Sequence, residues 1–286
     1  MPPDFIPATA YQPNRDNPSL NYDADYAKVP NRDGVQVSHR SEFRIGWRMM
    51  AATTGFRTIY PSVTPPGATH VNGVISAGSF NQSWSVLGEV GSALSSVITD
   101  FAFRSTGGGH IYPSAIERIA VGTNKSANNW ASVRFLSLNC LTSAYAPLWE
   151  EVTGTEWTPD VPLRKGEERR QAQVEVDALV ALSLGVTADE LCMIYRTQFP
   201  VMRKYDSQDL FDANGRKVAD DVAKLERKLK PGTQLSFEER TWTHPQSGAT
   251  YTFEYPFRIL GREADMREAY ERFERELRRE PHEENR

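Results

Sequence analysis

The hydrophobic period of this chain changes once, and that change limits its fold more than any other feature. Phe43, Ile45 and Trp47 alternate with Arg44, Gly46 and Arg48, the two-residue period of a half-buried strand. Short strands over "RTIYPSV" and "THVNGVIS" are expected next, separated by Pro65-Pro66-Gly67. From Leu87 the apolar positions become Leu87, Val90, Leu94, Val97, Ile98 and Phe101, the buried stripe of a helix. A chain that passes from one period to the other must pack helices on a sheet, so the fold class expected is α+β. Gly107 to Gly109 end the helix, because glycine adopts the left-handed conformation that closes one. After the short extended "HIY", Ser114-Ala-Ile-Glu117 reads as a capping box that starts a new short helix.

The rest of the chain reads as mainly helical. A helix is expected over "VRFLSLNCLTSAYAPLWEEV" and a short one over "DALVALSLG", closed by Gly185. Thr187 and Glu190 cap the next, which Pro200 stops. Asp212 to Gly215 reads as a tight turn, Ser236 to Glu239 as a helix cap, and Thr250 to Phe257 as a strand. Met266, Tyr270, Phe273 and Leu277 form the stripe of a final helix. Residues 1–40, rich in Pro, Asn, Asp and Tyr, read as an irregular arm. Residues 41–163 read as one domain and 171–286 as a helical docking domain, with the charged run Arg164 to Arg170 between them.

With 286 residues the chain can bury a core without covalent staples. Its two cysteines, Cys140 and Cys192, sit apart in apolar or helical context, and its five histidines are scattered. A reduced, cytoplasmic protein with no zinc site is therefore expected. No apolar run approaches the roughly 20 residues of a membrane span, so no membrane role is expected. The net charge is −4, yet Arg40 to Arg134 hold eight basic residues against four acidic ones. That local excess is compatible with a phosphate-contacting face.

Several chemistries find no support. The glycine triplet lacks the lysine of a phosphate-binding loop and does not follow a strand, so neither a P-loop nor a dinucleotide fingerprint is present. No GxSxG nucleophile elbow occurs. Asp189 and Glu190 are neighbours, but capping accounts for them. A binding or structural role is favoured over a self-contained enzyme, and no catalytic residue is assigned.

Three segments in order, "SEFRIGWRMMAATTGFRTIYPSVTPPGATH", "VLGEVGSALSSVITDFAFRSTGGGHIYPSAIERI" and "LNCLTSAYAPLWEEV", resemble the carboxy-terminal half of large adenine-specific DNA methyltransferases. These are the fused type II restriction–modification enzymes and their relatives in phage-defence systems of the BREX and DISARM kind. The likeness rests on Thr53-Thr54-Gly55-Phe56-Arg57-Thr58, on Gly91-Ser92-Ala93-Leu94 and on Gly108-Gly109-His110. It extends to "DALVALSLGVTADELCMIYRTQFPVMRKYD" and "FDANGR", and covers roughly residues 43–277. Gly55-Phe56 replaces the usual asparagine before Arg-Thr, and the threonine before His110 is missing.

The resemblance implies a DNA target-recognition domain: a short-strand recognition sheet with a spacer helix and Gly turn, followed by a mainly helical carboxy-terminal region. Neither the cofactor motif nor the Asn/Asp-Pro-Pro-aromatic motif of the catalytic half is found; Asp16-Asn17-Pro18-Ser19 lacks the second proline and the aromatic that stacks on a flipped base. The chain then corresponds to the recognition half alone, as a subunit, a split gene or a remnant left by truncation. S-adenosylmethionine is expected on a separate methyltransferase catalytic subunit, and double-stranded DNA is the second expected partner. Arg44, Arg48 and Arg57 are candidates for guanine or phosphate contacts. Arg104, Gly108, Gly109 and His110 are candidates for a phosphate nest at the turn, and Thr53 and Thr54 for phosphate contacts or turn capping. Trp47, Trp84 and Trp149 are assigned to the core. The alternative is a protein-interaction scaffold of a phage-defence complex, or an inactive methyltransferase remnant.

Overall fold

The computed structural model describes residues 26–52, 54–78 and 83–279. Expectations for residues 1–25, including Asp16 to Ser19, and for Thr53 lie outside the described residues. The fold is α+β, with small antiparallel sheets near the amino terminus and a mainly helical remainder.

The described part of the expected arm is ordered. Strands β1 (Lys28–Pro30) and β2 (Gln36–Ser38) form a hairpin with Val29 opposite Val37. From its turn, Arg32 donates two hydrogen bonds to the Glu151 carboxylate at 2.7 and 2.9 Å and lies 4.3 Å over the Trp84 ring. The hairpin is thereby tied to the body.

Strand β3 (Arg44–Arg48) runs between β4 (Ser62–Thr64) and β5 (Val74–Ala77), antiparallel to both. Phe43, Ile45 and Trp47 are buried as their alternation requires, but Arg44 is buried too. The strand is covered on both faces, so the half-exposed pattern expected for it is corrected.

The helix expected from Leu87 to Phe101 is two helices, α1 (Ser85–Ser95) and α2 (Val97–Thr106), bent by 64°. At the break Ser96 is extended and its hydroxyl accepts from Thr99 N–H, while Val97 N–H donates to Asp177 Oδ1 at 2.8 Å. A buried carboxylate 80 residues away satisfies the orphan amide of the new helix, which local periodicity cannot reveal. Gly107, at φ 67°, closes α2 as expected. Helix α3 (Pro113–Ile116) begins one residue before the expected capping box; Pro113 starts it and no side chain caps it.

Helix α4 (Lys125–Asn139) starts earlier than expected, capped by Asn124, and ends before Cys140. Helix α5 (Ala146–Thr153) is separate from it. Helix α6 (Gly166–Leu184) begins inside the charged run read as a linker and ends at Gly185, φ 71°. Helix α7 (Ala188–Gln198) carries the expected Thr187–Glu190 capping box. Helices α8 (Pro200–Asp206) and α9 (Asp220–Glu226), the hairpin of β6 (Thr241–Thr243) and β7 (Thr250–Thr252), and α10 (Arg262–Arg279) complete the chain.

One core lies under the first sheet around Phe43, Trp47, Phe135 and Trp149. A second joins Val97 and Ala131 to Ala178, Leu191, Phe199 and Phe273, so helices on both sides of residues 164–170 share it. Helices α1 and α4 approach so closely that a Cβ on Gly91 would lie 2.2 Å from the Phe135 ring. No single helix among the described residues is long and apolar enough to cross a membrane.

An ion network runs through the second core. Asp177 is fully buried, 3.5 Å from Arg57 and 3.9 Å from Arg262. Burial pushes its carboxyl up, and Arg57, Arg262 and Val97 N–H act against that rise. Arg262 also donates to Asp206 at 2.7 Å, and Tyr195 donates to the same carboxylate at 2.8 Å. Asp177→Asn removes the charge that two buried guanidiniums face, and should cost about 3–5 kcal/mol in chemical denaturation.

Glu175 bridges α4 and α10, accepting from Arg134 and Arg272 at 2.7 Å each. Burial alone would raise its carboxyl, but hydrogen bonds from Arg272 and Arg134 outweigh it and hold the pKa below its ordinary value. A depressed folded pKa gives stability that is present above the unfolded value and lost as pH falls through the folded one. Below about pH 4.5, wild type should therefore lose stability more steeply than Glu175→Gln in denaturation series at several pH values.

Candidate nucleic-acid interface

The expected site residues separate into an interior set and a surface set. Arg44, Arg57 and Arg104 belong to the interior. Arg44 is 0% exposed, donating to Ala68 O at 2.6 Å and Glu42 O at 3.3 Å. Arg57 is 6% exposed, donating to Ser95 O at 2.8 Å beside Asp177. The Arg104 side chain is 9% exposed. It donates to Asp100 at 2.8 Å, to Gln198 O and Gly55 O at 3.0 Å each, and lies over the Phe199 ring. These guanidiniums are committed to carbonyls and carboxylates, so in this conformation none of the three faces a duplex. In this structure all three act as internal ties.

Arg104 from α2 and Arg57 from within hold the loop carrying the Gly55-Phe56-Arg57-Thr58 string, whereas Arg44 ties the segment around Ala68. Buried Asp100, one turn below Arg104 on α2, accepts from Thr58 N–H at 2.8 Å and Ile59 N–H at 3.4 Å. Arg104 takes the carbonyls of Gly55 and Phe56 at 3.0 and 3.4 Å. An arginine and a carboxylate on one helix face thus satisfy both the donors and the acceptors of one loop, as buried backbone groups require. Thr54, in that loop, is exposed.

The surface set is brought together by backbone pairing. Met50 and His110 form an antiparallel bridge, flanked by Ala51 N–H to Gly109 O at 3.0 Å and Ile111 N–H to Met49 O at 2.7 Å. The end of β3 and the segment after the glycine turn therefore make a short two-stranded ribbon. Alternation across it sorts the side chains. Trp47 and Ile111 point inward at 2% exposure each, with Trp47 Nε1 donating to Ile111 O at 2.9 Å. Arg48, Met50, His110 and Tyr112 are exposed, and the His110 and Tyr112 rings stack with centres 5.7 Å apart. Among the described residues Arg48 makes a single side-chain hydrogen bond, 3.3 Å to Met50 O. Gly108 and Gly109 sit at the ribbon tip, exposed.

Met50 and Tyr112 were absent from the sequence-based site. The signal for them was available in hindsight only as the alternation of "RMMA" against "GHIY", which becomes informative once the two strings are known to pair.

The two sets respond differently to mutation. Arg104→Ala leaves the Asp100 carboxylate and the Gly55 and Gln198 carbonyls without their cation, and should cost about 3 kcal/mol. Arg48→Ala should stay within about 0.5 kcal/mol of wild type. Parallel denaturant titrations check both.

Comparison of the chain with protein-family models, with curated proteins and with solved structures finds no match in any of the three.

Proposed function

We propose that this chain is a DNA target-recognition part of an adenine-specific DNA methyltransferase system of restriction–modification or phage defence. The methyl-transfer machinery and its S-adenosylmethionine are supplied by a partner catalytic subunit. The single observation that carries the reading is the Met50–His110 ribbon. It pairs two of the segments that resemble that family, with Arg48, Met50, His110 and Tyr112 on the exposed face. A two-stranded ribbon is one of the two elements that the major groove of B-form DNA admits. Arg48 can meet a guanine edge or a phosphate. The exposed amides of the glycine turn and the Thr54 hydroxyl can meet phosphates.

A second reading, a protein-interaction scaffold in a defence complex, is favoured by one observation: burial of Arg44, Arg57 and Arg104 removes three cations from the face expected to meet DNA. Duplex binding separates the two readings. We place the chain in the cytoplasm, a reading supported by two free, buried cysteines, of which Cys140 has its thiol pushed up to about 12 by burial.

Duplex binding measured with the catalytic partner present should weaken with salt, with a slope in log affinity of about −0.9 per phosphate contact. Arg48→Ala should reduce that slope by about one contact if Arg48 holds a phosphate. If it reads a guanine instead, the variant should lose about 1–3 kcal/mol on the preferred site alone. Arg48→Ala and His110→Ala variants that both bind as wild type across the salt range would give the scaffold reading the lead.

The purified chain mixed with S-adenosylmethionine and DNA should transfer no methyl group. Incorporation of labelled methyl by the chain alone would contradict the division of labour proposed here.

A further inference from the structure

A second surface, distant in sequence from the ribbon, combines a cavity, aromatic rings and uncompensated cations. The cleft has a volume of about 690 Å³ between the start of α6 and the β6–β7 hairpin, within the range of small-molecule sites. Its cationic wall is made by close backbone packing. A Cβ on Gly166 would lie 3.0 Å from the Lys217 backbone nitrogen, so the segments carrying Arg164 and Arg216 are held against each other. Neither guanidinium has a carboxylate partner among the described residues. Among those residues Arg164 makes two long hydrogen bonds, 3.3 and 3.4 Å, to the carbonyls of Pro159 and Leu141. Arg216 lies 4.8 Å over the Tyr251 ring. By contrast Lys217 is paired with Asp209 at 2.7 Å.

The aromatic wall is the hairpin. Trp242 and Tyr251 are directly opposite across it, their rings within 9° of parallel and their centres 6.5 Å apart. An aromatic ring beside a guanidinium plane is the surface on which unstacked bases are held. Asp220 and Asp221 also line the cleft. Two carboxylates oppose a run of phosphates there, but they accept hydrogen bonds from sugar hydroxyls and from the amino groups of bases.

We infer that this cleft binds a single unpaired nucleotide, with its base against Tyr251 and Trp242 and its phosphate on Arg164. The shared chemistry is a nucleobase bearing a phosphate, supplied by a single-stranded nucleic acid or by a free nucleotide. The inference goes beyond the proposed duplex recognition and uses none of its residues.

The test uses the full chain and two fluorescein-labelled probes, a single strand of about 12 nucleotides and its duplex, read by anisotropy. Tyr251 and Arg164 are exposed, so Tyr251→Ala and Arg164→Gln should keep the fold, which circular dichroism checks. Tyr251→Ala should weaken single-strand binding about fivefold or more. Arg164→Gln should reduce its salt slope by about 0.7. Both should leave duplex binding unchanged, whereas Arg48→Ala should affect the duplex alone. Displacement of the strand by millimolar adenosine monophosphate would assign the cleft to free nucleotides, and failure to displace would assign it to strands. The inference is overturned if the single strand does not bind and adenosine monophosphate does not bind in calorimetry. It is equally overturned if both variants bind the strand as wild type does, or if inorganic pyrophosphate displaces the strand as well as the nucleotide does.

Discussion

Asp177 is the residue on which the arrangement of the helices turns. It lies in the middle of α6 with no exposure, and its carboxylate accepts from Val97 N–H and faces Arg57 and Arg262. A carboxylate taken out of water must find such partners or lose its charge. Here the partners come from the start of α2, from the loop after β3 and from the start of α10. One buried charge therefore fixes where α2 begins, and α2 in turn carries Asp100 and Arg104. Asp177 Oδ2, Arg170 Nη2 and Arg262 Nη1 make no hydrogen bond among the described residues, so the network carries a desolvation cost. Its value lies in register more than in net stability: a slipped helix would strand a buried charge.

The ribbon inherits this order. Helix α2 delivers the glycine turn at its end and holds the Gly55–Ile59 loop along its side, through Arg104 and Asp100. Both anchors belong to one helix, so the loop and the turn are positioned by the same element. Trp47 closes the inner face by donating to Ile111 O. Arg48, Met50, His110 and Tyr112 are left outside over the buried Trp47 and Ile111. Rigid presentation of a few side chains is what recognition of base edges requires, because each bidentate contact depends on position. The buried arginines support the recognition reading as scaffolding, while their loss from the surface reduces the cations available to phosphates.

Local signals were legible wherever the determinant was local. The left-handed glycines at 107 and 185, the Thr187–Glu190 box and the Met266–Phe273 stripe each act within one or two turns, and each is found. The elements that differed depend on distant partners. At the break Ser96 is a local cap, accepting from Thr99 N–H, but the Val97 N–H is satisfied by Asp177, a partner that no nearby residue signals. The charged run 164–170 resembles a linker, yet Arg170 pairs with Asp265 of α10 at 2.6 Å and is nearly buried. Arginine was the least legible residue of all. Arg44 and Arg48 lie on one strand with identical side chains, and the loop carrying Ala68, whose carbonyl Arg44 takes, lies over one and not the other. The Trp242–Tyr251 pair was half visible: Thr250 onward reads as a strand, but its partner at 241–243 is too short to show a period.

The most direct measurement is hydrogen exchange of the chain, together with its catalytic partner, with and without duplex DNA. The account predicts slowed exchange confined to two segments distant in sequence, residues 48–55 and 107–112. The buried loop amides of Thr58 and Ile59 should be protected equally in both states. Protection that falls elsewhere, or a duplex that changes nothing in the ribbon, would contradict it.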